Sequence, residues 1–72
     1  MTFWTKDDVE LFLTDFWPGY RQMKFPLGQA FSVFLQSDMH YPWAYDHQTK
    51  LLSFRSDVAC LDYIDTNAQD TK

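Results

Sequence analysis

Val9, Phe12, Leu13 and Phe16 recur at i, i+3, i+4 and i+7, the stripe of a helix with one buried face. Thr5 stands at the N-cap position, and Asp8 three residues on completes a capping box, although aspartate is one methylene shorter than the usual glutamate. Trp4 before the cap and Val9 after it are spaced to close as a hydrophobic staple. Asp7, Asp8 and Glu10 crowd the start of this helix, where its dipole favours negative charge. Trp17-Pro18-Gly19 follows, and proline disfavours helical geometry in the residue before it, so the pattern predicts a first helix over 6–16. A second stripe, Leu27, Ala30, Phe31, Phe34 and Leu35, begins after Pro26, which suits a first helical position. It predicts a helix over 26–37, with Gly28 weakening the first turn by roughly 1 kcal/mol relative to alanine.

Beyond a loop at 39–42 the period changes from 3.6 to 2. Trp43 and Tyr45 alternate with Ala44 and Asp46, and Leu52 and Phe54 alternate with Leu51, Ser53 and Arg55. With His47-Gln48-Thr49-Lys50 as a four-residue turn, this reads as a β-hairpin, although the turn lacks glycine and asparagine. Ser56 then caps a short third helix that turns inward either Val58, Leu61 and Ile64 or Cys60 and Ile64. The predicted fold is α+β, in the order α–α–β–β–α, with helices packed on one face of a two-stranded hairpin. One domain is expected over 1–65, with a frayed polar tail over 66–72. A hairpin covered on one face leaves two open edges, where a second copy or a partner peptide would add a strand.

Size limits what such a domain does. At 72 residues and 8.6 kDa the chain buries only about 60% of its unfolded surface, which leaves little for a deep catalytic pocket. Aromatics are the anomaly: seven Phe, four Tyr and three Trp make 19% of the chain. Enclosing all of them would take on the order of 2,800 Å², so some rings are expected at the surface, where aromatics mark protein interfaces. Tyr41, Trp43 and Tyr45, three rings in five residues stiffened by Pro42, form the candidate contact loop.

The net charge of −4 carries no Lys/Arg cluster, which argues against direct nucleic-acid binding. Acidic residues concentrate toward both ends. If those ends meet, Asp7, Asp8, Glu10, Asp15, Asp57, Asp62 and Asp65 would form an acidic face able to steer a basic partner.

Other chemistry is sparse. Cys60 is the one thiol, and among Val58, Leu61 and Ile64 it reads as a small buried hydrophobe rather than a nucleophile. His40 and His47 fall in expected loops. Asp38, His40, Asp46, His47 and Cys60 are ligand types, but a single thiolate without close ligand pairs does not make a zinc site, so no metal is expected. Two glycines cannot build a phosphate cradle, and no cofactor is expected. The N-terminus lacks a secretory pattern, and the longest apolar run, 30–35, is broken by Ser32, so the expected setting is cytoplasmic, away from membranes. Together these features predict a small acidic, non-enzymatic protein-binding module or adaptor, contacting a partner or itself through the aromatic loop and hairpin edge. The rival expectation is an acidic inhibitor, of the kind encoded by phages or mobile elements, that blocks the basic nucleic-acid-binding surface of an enzyme.

Overall fold

The computed structural model describes residues 3–70, and among them the chain forms four helices and no strand. Helix α1 covers 6–22 and is assembled from Lys6–Leu11, a wide π-helical turn at Phe12–Phe16, and Trp17–Gln22. Its start is as the spacing predicts. Thr5 Oγ1 accepts from the Asp8 N–H at 3.1 Å, and Asp8 Oδ2 accepts from the Thr5 N–H at 3.0 Å. The helix does not stop before Pro18. In the wide turn the Trp17 N–H reaches back five residues to the Phe12 carbonyl, and Pro18 falls in the first turn of the segment that restarts there. At a helix start, a missing N–H and a fixed φ are tolerated, so the insertion removes the conflict that a mid-helix proline would create.

The true end of α1 is a complete Schellman closure. Lys24, at φ 63°, sits in the left-handed region; the Phe25 N–H donates to the Tyr20 carbonyl at 3.1 Å and the Lys24 N–H to the Arg21 carbonyl at 3.0 Å. The apolar contact that accompanies this motif is present too, with the Tyr20 and Phe25 rings 5.5 Å apart. Helix α2, over 27–38, joins Leu27–Val33 to a second π-helical turn at Phe34–Asp38. It buries Leu27, Ala30, Phe31, Phe34 and Leu35, the predicted stripe. His40, at φ 56°, reverses the chain after it.

The expected β-hairpin over 43–55 is replaced by helix, so the protein is all-helical rather than α+β. A 3-10 turn at Pro42–Ala44 leads into α3, Tyr45–Ser53. The residues that segment buries are Ala44, His47 and Leu51, spaced i, i+3 and i+7, which is a helical face. Period-2 alternation among the large side chains was misleading because Tyr45 and Leu52 lie outside, while a histidine and an alanine face the core. Without strands there is no hairpin edge, and the predicted edge-to-edge dimer or strand addition has no structural basis here.

Helix α4, Asp57–Thr66, closes the domain. Ser56 Oγ caps it by accepting from the Ala59 N–H at 3.4 Å, and Cys60 and Ile64 turn inward, the second of the two inward pairings. Asp57 has a further role: its Oδ1 accepts from the Leu27 N–H at 3.1 Å, so one carboxylate lies at the N-termini of both α4 and α2. Two features join the ends of the chain. The Lys6 N–H donates to the Gln69 carbonyl and the Gln69 N–H to the Trp4 carbonyl, both at 2.9 Å. Trp4, fully buried, donates from Nε1 to the Ile64 carbonyl at 2.7 Å. Gln69 thus pairs with the N-terminal segment, while 71 and 72 of the expected tail fall outside the described residues.

Candidate functional site

The aromatic loop is divided by the fold. Tyr41 stacks on Trp43 with centroids 4.6 Å apart and planes 20° apart, and both rings are half-buried against the core. The Tyr41 hydroxyl donates to Asp8 Oδ2 at 3.1 Å, so the carboxylate of the capping box also pins this loop. Burial, with the Asp8 charge and hydrogen bond, pushes the Tyr41 hydroxyl pKa up. Trp43 meets His47 edge-on at 5.8 Å, and His47 in turn lies 4.6 Å from the Phe3 ring and 5.1 Å from that of Trp4. His47 is therefore a core residue on α3 rather than a loop residue, and the Ala44, His47, Leu51 spacing was the available signal. Of the three rings, Tyr45 alone is substantially exposed, at 67%.

The seven acidic residues have different surroundings. Asp8 is buried in the cap, and Asp57 holds the start of α2. Asp15 lines a shallow hollow with Phe16, Gly19, Tyr20 and Met23. Asp7 and Glu10 are exposed on α1. Asp62 and Asp65 line an open groove of about 350 Å³ between α1 and α4 whose other walls are Val9, Leu13, Val58 and Leu61.

This groove follows from the geometry of α4. Once Cys60 and Ile64 face inward, Val58 and Leu61 flank the buried line and Asp62 and Asp65 lie a turn apart beside them. Val58 is 79% exposed, an apolar side chain in the first turn of α4 with nothing of the described fold over it. Neither Asp62 nor Asp65 has its carboxylate tied into the fold by an ion pair or hydrogen bond among the described residues. Leu13 also borders an adjoining hollow of about 510 Å³ with Trp17, Pro18, Arg21 and Gln22, which carries the surface along α1 to a cationic end. Of the two apolar walls on α4, Val58 is exposed and Leu61 is partly buried against the core.

Cys60 is almost completely enclosed, and its thiol lies 4.0 Å from the Leu51 carbonyl. Burial, reinforced by the Asp57 charge, pushes its pKa up from 9.0 to about 11. A thiol held neutral in this way is a poor nucleophile. It also makes stability depend on pH. The folded state holds the proton more tightly, so the contribution is complete below pH 9 and is lost as pH rises through about 11. Two units correspond to about 2.7 kcal/mol at most. Urea denaturation repeated from pH 8 to 11 is expected to show this decline, and Cys60→Ala to flatten it. A slope unchanged by the substitution would rule out the thiol as its source. Tyr20 and Tyr41, both with raised pKa values, add to the decline only above pH 10.

Among the described residues no group of three or more His, Cys, Asp or Glu side chains is placed to hold a metal ion, and no helix is long and apolar enough to cross a membrane. Comparison of the chain with protein-family models, curated proteins and solved structures found no match to any of them.

Proposed function

We propose that this chain is a small acidic protein-binding module without catalytic activity of its own, and that the α1–α4 groove, rather than the aromatic loop, is its principal contact surface. The observation that carries this reading is the exposure of Val58, at 79%, in a groove edged by Asp62 and Asp65. A solvent-facing apolar groove edged by charge is the usual composition of a protein contact: an apolar centre and a polar rim. The raised pKa of the buried Cys60 thiol supports a non-enzymatic role. The inhibitor reading, which calls for one continuous face of carboxylates, draws less support, since the Asp8 and Asp57 carboxylates already accept from the Thr5 and Leu27 backbone N–H groups.

Photo-crosslinking from two exposed apolar positions tests the assignment. A photoreactive residue at position 58 is expected to capture a discrete protein from cell extract. The same residue at position 52, replacing the exposed Leu52 of α3, is expected to capture none in common with it. Equal capture from both positions, or capture from 52 alone, would remove the groove from the assignment.

A further inference from the structure

We infer that the occupant of the α1–α4 groove is a basic amphipathic helix of a partner protein; this rests on the binding-module reading above and specifies what binds. Three properties of the surface select that chemistry. Its floor and walls are aliphatic, with Val9 and Leu13 one turn apart on α1 and Val58 and Leu61 nearly one turn apart on α4. Such spacing matches apolar side chains repeating at i, i+3 or i+4 on an incoming helix. Its rim is anionic on the α4 side, where Asp62 and Asp65 stand at i and i+3, so they complement lysines or arginines one turn apart on the flank of that helix. The whole chain carries −4, which adds a long-range attraction for a cation and disfavours an acidic segment or a second copy of the chain.

The adjoining hollow extends the surface along α1 past Trp17 to Arg21. From Val9 to Arg21 is twelve residues, or roughly 18 Å of helix, which accommodates about three turns of a partner. Acid lies at one end of this track and Arg21 at the other. The bound helix therefore carries its basic residues over Asp62 and Asp65 and an acidic residue, or its own carbonyl end, toward Arg21.

Two synthetic helical peptides with one apolar stripe, flanked in one by lysine and in the other by glutamate, supply the test. Each is labelled and titrated with the intact chain, and binding is followed by fluorescence anisotropy. The lysine peptide is expected to bind about tenfold more tightly than the glutamate peptide, and about 1 M salt is expected to erase most of the difference. Asp62→Asn with Asp65→Asn is expected to narrow the gap in the same way, while Val58→Ser, at a site too exposed to affect folding, weakens both peptides. If both bind equally and both respond to Val58→Ser, the groove binds protein but the basic class is wrong. If neither responds to Val58→Ser, the groove is not the seat and the binding-module assignment falls with the inference. Sedimentation as a dimer that Val58→Ser dissociates would identify the occupant as a second copy and overturn the inference.

Discussion

Trp4→Ala is expected to lower the unfolding free energy by about 3–5 kcal/mol, the usual cost of emptying a buried tryptophan site. A domain of this length has roughly 4–11 kcal/mol in total, so the substitution removes a large part of it, and all of it at the lower end of that range. The ring is fully buried and stands edge-on to Phe31 at a centroid distance of 5.0 Å and to Phe3 at 5.6 Å. Its second role is polar. Ile64 lies in the last turn of α4, where carbonyls have no partner further along the helix, and the Trp4 indole N–H satisfies that one at 2.7 Å. Trp4→Phe separates the two contributions. It keeps an aromatic ring but orphans the Ile64 carbonyl, at a cost of about 1–3 kcal/mol besides the lost volume. Denaturation midpoints followed by circular dichroism measure both variants. A Trp4→Phe protein as stable as the parent would show that the hydrogen bond contributes nothing.

The second large effect is expected from a single methyl group. At Gly28 a Cβ would run into the Leu51 carbonyl oxygen, with the Leu51 carbonyl carbon 2.9 Å away and Cys60 Sγ 3.2 Å away. The nearest obstacle is backbone, which cannot swing aside as a flexible side chain would, so α2 must separate from the C-terminal part of α3. Gly28→Ala is expected to cost about 1–3 kcal/mol through this overpacking, more than the roughly 1 kcal/mol that alanine gains in helix propensity. Gly19 is the control, because a Cβ there meets nothing within 4 Å. Gly19→Ala in the same assay is expected to stabilise by about 0.5–1 kcal/mol. Two Gly→Ala changes of the same sign would contradict the close approach of α2 to α3.

The parts of this fold that could be read in the sequence are those encoded locally. The Thr5–Asp8 capping box and the apolar stripes of α1 and α2 depend on residues within a few turns of one another, and each appears as expected. Where the reading failed, a distant partner or an unusual local geometry was responsible. A wide turn at Phe12–Phe16 carries α1 through Pro18, and nothing in the residue types announces it. Over 43–55 the large side chains alternate, while the helical face is carried by the smaller Ala44 and the polar His47, and His47 packs on rings from Phe3 and Trp4 far away in the chain. The site was hidden for a related reason. Val58 is as apolar as a core residue, and only the packing of α4 through Cys60 and Ile64 leaves it facing outward. Likewise, Asp57 is recognisable as a first-turn residue of α4, but its bond to Leu27 spans thirty residues.

The pairing of Trp4 with Ile64 across sixty residues also governs when the fold can form. At synthesis rates of 5–20 residues per second, about 3–12 s separate the two. Over that interval the largest ring of the core has no final place, and the start of α2 lacks the Asp57 carboxylate that caps it. Helical turns in α1 and α2 form far faster than this, in about a microsecond or less. The core is nevertheless completed only once α4 is present, since until then the Trp4 indole N–H and the Leu27 N–H lack the partners that the folded chain gives them.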